Sequence, residues 1–121
     1  MLRFRLSQAA QGDVVNILAW TDEQFGEAAR MRYESLIVAA LRDVATRPDR
    51  PGSLARPELG SGVRSWHLRL SRDHIRPDAE VVARPSHFLV YRFEPALIVV
   101  GRVLHDAMEL ARHMDPDTSW Q

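Results

Sequence analysis

The chain contains no cysteine and no lysine among its 121 residues. The first absence excludes disulfide staples, thiolate nucleophiles and cysteine-ligated zinc. The second leaves every basic charge to arginine, whose planar fork favours bidentate pairing. Neither sign of charge is in excess: 16 basic residues face 16 acidic ones and the formal net charge is +0. Nucleic-acid binding through bulk positive charge is therefore excluded, although a local patch is not. Long apolar runs are missing too. Residues 36–41 form a run of six, against the roughly 18 that a membrane-spanning helix needs. Residues 1–5 lack the apolar stretch of a signal peptide. The expectation is a soluble, cytoplasmic protein with no membrane partner.

Apolar residues make up 45% and charged residues 26% of the sequence, a globular balance. The length favours one domain, residues 1–121, with a modest core. Charge is nonetheless uneven along the chain. Residues 28–72 carry nine arginines against four acids, whereas 73–121 carry five against eight. A basic belt on a neutral chain points to an acidic partner, or to an arginine-rich solvated surface.

Residues 3–6 alternate as a short strand, and Ser7 offers an N-cap to a helix carrying Ala10, Val14, Ile17, Leu18, Thr21 and Phe25. Gly26 suits the position that stops it. A second helix presents Tyr33, Leu36, Ile37, Ala40, Leu41 and Val44 as one stripe, ending at Arg47-Pro48. So short a connection predicts an antiparallel helical hairpin. Residues 48–62, with three prolines and three glycines, read as a loop. Trp66, Leu68 and Leu70 alternate as a strand, 71–80 form a polar excursion, and Val81-Val82 make a small strand or begin the next. Residues 87–93 and 96–104 are the clearest strands, joined as a hairpin around Glu94-Pro95. Asp106 is the expected N-cap of a short C-terminal helix with Met108, Leu110 and Ala111. The resulting fold class is α+β: an N-terminal strand and a helical hairpin on a mainly antiparallel sheet of four to five strands, followed by a short C-terminal helix.

Both faces of the last hairpin are mostly apolar. With an even loop, His87, Leu89, Tyr91, Phe93, Ile98, Val100 and Arg102 share one face, and Phe88, Val90, Arg92, Leu97, Val99 and Val103 share the other. Two helices cover only one side. The second side requires the C-terminal helix, another copy of the chain in a homodimer, or a different protein.

Four segments then resemble a known family in order along the chain. They are Phe25-Gly26 with Ala28 and Tyr33; the Pro48 loop with Gly62-Val63-Arg64; the strand His87-Phe88-Leu89-Val90-Tyr91-Arg92; and Arg102-Val103-Leu104-His105-Asp106-Ala107-Met108 followed by Arg112-His113. Over roughly residues 4–114 they resemble the ParE branch of the RelE/ParE toxins of bacterial type II toxin–antitoxin systems. The last motif is the most specific, and the stretch 71–85 is longer than the family's usual connection. The resemblance implies a toxin neutralised by a cognate ParD-like antitoxin, with DNA gyrase as its target. RelE-type relatives instead cut mRNA on the ribosome.

No histidine pair has the helical spacing of a zinc site, no Gly-x-Ser-x-Gly elbow occurs, and no glycine-rich phosphate loop opens a helix. No metal and no cofactor are expected. Metal-free RNA cleavage would need a base, an acid and cations about the phosphate. Arg64, Tyr91, Arg92 and His105 are the candidates for that alternative. Each also has a structural reading: Tyr91 in the core, Arg92 paired with Glu94 or Asp106, and His105 capping the last helix. The favoured reading is an inhibitor that works by binding, with no catalytic residue and no specific nucleic-acid contact. Antitoxin contacts are expected from Arg30 and Arg42 of the basic belt and from Phe88, Val90 and Arg92 on the uncovered sheet face. Met108, Arg112 and His113 are the candidates for meeting the target.

Overall fold

A computed structural model describes residues 2–75 and 82–121. Strand β1 (Arg3–Leu6) passes directly into helix α1 (Gln8–Phe25) through Ser7. The Ser7 hydroxyl accepts the Ala10 N–H at 3.0 Å and donates to the Gly101 carbonyl at 2.7 Å. It thus serves as the expected cap and also ties the helix to the sheet. Gly26 alone links α1 to α2 (Glu27–Thr46), at φ 92°, a backbone region that residues with a Cβ rarely enter. With no further linker, the two helices fold back as a hairpin. Helix α2 ends where Arg47 turns extended ahead of Pro48.

The five strands are ordered β1-β5-β4-β3-β2. Strands β4 (His87–Glu94) and β5 (Leu97–His105) meet across a two-residue turn in which Ala96 takes φ 59°. Strand β3 (Val63–His67) pairs antiparallel with β4, and β2 (Leu54–Ala55) closes that edge. β2 lies within the segment expected to be wholly loop. Strand β1 pairs parallel to β5, Arg3 opposite Leu97 through Leu6 opposite Val100. Beyond that point the edge of β5 is covered by α1: Asp13 accepts the Val103 N–H at 2.9 Å and holds the Arg102 guanidinium at 2.7 and 2.9 Å.

Three sequence expectations need correcting. The β3 strand ends at His67, because residues 68–74 wind into a 3₁₀ helix instead of continuing the alternation through Leu70. The C-terminal helix α3 is a single turn, Leu110–His113, starting after Glu109; Asp106 does not cap it but pairs with His67. Finally, the register of the β4–β5 pair jumps between Val90 and Tyr91: Tyr91 faces Val100 while Val90 faces Arg102, which leaves Gly101 as an extra residue. This bulge reverses the faces beyond it. Val103 joins the helix-side core, and Arg102 moves to the side of Val90. Val82 packs partly against the core outside any strand, whereas Val81 lies outside the described residues.

Two apolar layers result. One holds the α2 stripe (Tyr33, Leu36, Ile37, Ala40, Leu41, Val44) against Trp66, Leu89, Tyr91, Ile98, Val100 and Val103. The other, on the opposite face, joins Val63, Phe88, Val90, Val99 and Leu104 to Trp120, with Leu110 and Met114 packed alongside. Of the three covers considered for this face, the C-terminal segment is the one found. Its seat depends on the bulge glycine, since a Cβ at Gly101 would stand 2.8 Å from the Trp120 ring. Arg92 stacks over the same ring at 4.8 Å, and Arg5 donates to the Trp120 carbonyl at 3.0 Å. Among the described residues, no buried side-chain nitrogen or oxygen lacks a hydrogen-bond partner.

Candidate functional site

The four residues considered for RNA cleavage are each engaged elsewhere. Arg64, on β3, donates to the Ser53 hydroxyl and carbonyl, bracing the loop that precedes β2. It also lines a hollow of about 540 Å³ with Pro57, Val63 and Phe93. Tyr91 sits opposite Arg64 across the strands, but it is buried and its hydroxyl donates to the Pro48 carbonyl. Burial holds that phenol above its usual pKa, so it stays protonated at neutral pH. Arg92 bridges Glu94 at 3.3 Å and the Trp120 ring. His105 lies at the other end of the sheet, paired with His87. From there to Tyr91 is four residues along β4, roughly 13 Å at strand spacing. Its Nδ1 accepts the Ala107 N–H and so caps a turn.

The binding candidates divide into covered and open residues. Phe88 and Val90 are buried in the layer beneath Trp120, and Arg92 stacks on that ring. Arg30 is held by Asp22, Glu27 and Glu34. Arg42 is exposed on α2, beside a hollow that also contains Glu34 and Asp43. Of the proposed target contacts, Met108 is exposed, Arg112 pairs with Glu109 at 2.9 Å, and the His113 carbonyl accepts from Arg102.

Histidines gather at the end of the sheet away from the hairpin turn, although no group of three ligands among the described residues could hold a metal ion. His67 accepts the Arg69 N–H at Nδ1, so its Nε2–H donates to Asp106 at 2.9 Å. That bond holds the Asp106 carboxyl below its usual pKa. Burial, then the neighbouring His105 charge, lowers His87 to about 4. His87 is therefore neutral at pH 7, and its Nδ1 accepts the Tyr33 hydroxyl at 2.6 Å. The same hydroxyl oxygen accepts the Ser86 N–H at 3.2 Å. Burial raises the Tyr33 pKa, which keeps it a donor.

This Tyr33–His87 pair forms part of a recess of about 500 Å³ that sequence reasoning did not anticipate. Its walls include Trp20 and Phe25 from the end of α1, Arg32 and Tyr33 from α2, Arg84 from the approach to β4 and His87 at the start of that strand. The two rings meet edge to face at 5.7 Å. Phe25 was expected within the core stripe of α1 but is 69% exposed, and Trp20 is 55% exposed. A ring next to the helix-ending glycine has run past the sheet it would pack on. The Phe25-Gly26 dipeptide was the available signal.

Comparison with known proteins locates the chain. The family model for the ParE toxin of the type II toxin–antitoxin system parDE matches residues 4–110. A solved structure titled as the chromosomal ParDE TA system from P. aeruginosa aligns with TM-score 0.61 and 15% identity. That alignment covers 87% of this chain and 96% of the other, and at this identity it establishes the fold. A search of curated proteins gives no match. Among the described residues, no helix is long and apolar enough to cross a membrane.

Proposed function

We propose that this chain, which belongs to the ParE toxin family of type II toxin–antitoxin systems, inhibits DNA gyrase by protein–protein binding and is neutralised by a ParD-type antitoxin. The observation that carries this reading is the separation of His105 from the other cleavage candidates, each of which is already engaged. Arg64, Tyr91 and Arg92 are each held by structural partners, and His105 stands at the opposite end of the sheet. RNA cleavage by general acid–base chemistry needs the proton acceptor and donor within hydrogen-bond reach of one phosphate. Binding needs surface only. The turn and short helix after β5 supply such a surface, with Met108 and Arg112 exposed.

Purified protein is expected to block gyrase supercoiling or trap cleaved DNA, and to leave no codon-linked ends in primer extension on cellular mRNA. Replacing Arg112 and His113 together by alanine should weaken growth inhibition while folding and antitoxin binding persist. Ribosome-dependent cuts that vanish in His105→Ala or Arg92→Ala, with the fold intact, would replace this reading with the RelE-like endonuclease.

A further inference from the structure

Helix α2 carries a second stripe besides the one it buries. Glu27, Met31, Glu34, Ser35, Val38 and Arg42 recur at helical spacing, and all six are exposed. Met31 is 55% exposed and Val38 40%. Scattered apolar residues on a surface are ordinary, but these two are ordered about a centre. The midpoint of the stripe falls between Glu34 and Ser35. Met31 and Val38 lie about one helical turn to either side of it, and Glu27 and Arg42 about two turns. Each half therefore runs outward from a polar centre, through an apolar side chain, to a charge. The two end charges are of opposite sign.

That order is complementary to itself. A second copy laid antiparallel about a two-fold axis at the midpoint sets Met31 on Val38 of the other copy, Glu27 on Arg42 and Glu34 on Ser35. Each contact occurs twice. A parallel copy would instead set Glu27 on Glu27 and Arg42 on Arg42. An acidic partner would meet Glu27 and Glu34, and a basic one Arg42. The end charges are available for such pairing. Arg42 makes no ion pair among the described residues, and Glu27 reaches Arg30 only at 3.8 Å. Glu34 is compensated by Arg30 at 3.1 Å, so the two central carboxylates do not meet unpaired. Shape agrees with charge. Ser35, Val38, Ala39 and Ile75 border a hollow of about 500 Å³ on the Val38 side of the midpoint. The flexible Met31 of a second copy enters there, and the small Ser35 lets the backbones approach to the roughly 8–10 Å of packed helices. We propose that this stripe joins two copies of the chain, α2 against α2, in an isologous antiparallel dimer. The sheet face beneath Trp120 takes no part in it, and the pairing is independent of the gyrase reading.

The test is sedimentation equilibrium of the intact purified chain, which should show a monomer–dimer equilibrium that weakens as salt is raised. A substitution on the stripe acts twice across the axis. Val38→Glu should weaken the dimer about tenfold or more, as for a central interface residue. Arg42→Glu should also weaken it, because it sets carboxylate on carboxylate at both ends. Glu27→Arg combined with Arg42→Glu exchanges the charges and should restore association to within about threefold of the parent, a rescue that the antiparallel order alone allows. These side chains are exposed, so each variant should keep the parent's circular dichroism. Val15→Ala, on the exposed side of α1, should leave association unchanged. A chain that stays monomeric at about 0.1 mM, a hundredfold above a micromolar dissociation constant, overturns the proposal. So does a double variant that associates no better than Arg42→Glu alone, or a Val38→Glu variant that associates like the parent. A monomeric parent whose Val38→Glu variant loses binding to the purified antitoxin gives this face to that partner instead.

Discussion

Replacing Trp120 by alanine should uncover the second face of the sheet. A tryptophan side chain buries roughly 150–250 Å². At about 25 cal/mol per Å² this corresponds to ~4–6 kcal/mol, an upper bound because a released tail retains some contacts. The stacked Arg92 adds about 0.5–1 kcal/mol. Measured truncations of this size cost ~3–5 kcal/mol. Since Trp120 sits near the chain end, the first effect should be local: residues 114–121 leave the sheet, and Phe88, Val90, Val99 and Leu104 reach solvent. The variant should bind a hydrophobic dye that the parent ignores, and amide exchange should rise in the C-terminal segment before it rises in β4. The bulge supplies an independent check. Gly101→Ala puts a Cβ 2.8 Å from the same ring, and should give the same phenotype with Trp120 still present. Because both substitutions act on one contact, their effects should be strongly non-additive, Gly101→Ala costing little once the ring is gone. Additive losses, or no gain in dye binding, would refute the view that this ring seals the face.

Two further expectations concern titration and buried polarity. His87 binds a proton only near pH 4 in the folded chain, against 6.5 for the free side chain, so its contribution is complete above pH 6.5 and is lost as pH falls from there toward 4. Full burial would make this ~3 kcal/mol. Partial exposure reduces it to about 1–2 kcal/mol, and His87→Gln should flatten that part of a urea-stability profile; an unchanged slope would contradict it. Asp43 accepts from Ser71 at 2.6 Å and His74 at 2.7 Å and pairs with Arg50 at 3.2 Å. Asp43→Ala should therefore lose about 2–3 kcal/mol, read as a lower urea midpoint, and Asp43→Asn less; equal midpoints would show that the network contributes nothing.

The elements that sequence reveals best here are those with one dominant cause. Ser7, Gly26 and Arg47-Pro48 mark helix ends through local chemistry, and each boundary is found where those residues predict it. The α2 stripe is legible because 3.6-residue periodicity needs no knowledge of its partner. Failures occur where distant residues decide. Nothing near Gly101 announces that a tryptophan nineteen residues later fills its missing side chain, so the bulge and the reversed face beyond it go unseen. The 3₁₀ turn at 68–74 is likewise held from α2, through Ser71 and His74 on Asp43. The cleavage candidates were chosen by residue type, and type does not reveal that Tyr91 already serves Pro48. The recess was missed because its lining comes from three separated segments.

The parallel pairing of β1 with β5 also imposes a timetable on synthesis. Arg3–Leu6 leave the ribosome well before their partners, Leu97–Val100, which follow some ninety residues later. At roughly 5–20 residues per second, that delay is on the order of 5–20 s. Throughout it the helical hairpin can form, but its apolar stripe has no complete sheet to rest on, and the Ser7 hydroxyl has no Gly101 carbonyl to reach. Trp120 and its contact with Arg5 close later still. A nascent chain of this kind acquires its finished surfaces only after β5 and Trp120 have emerged, so products of translation interrupted before β5 would carry the helices without the sheet that makes them a folded protein.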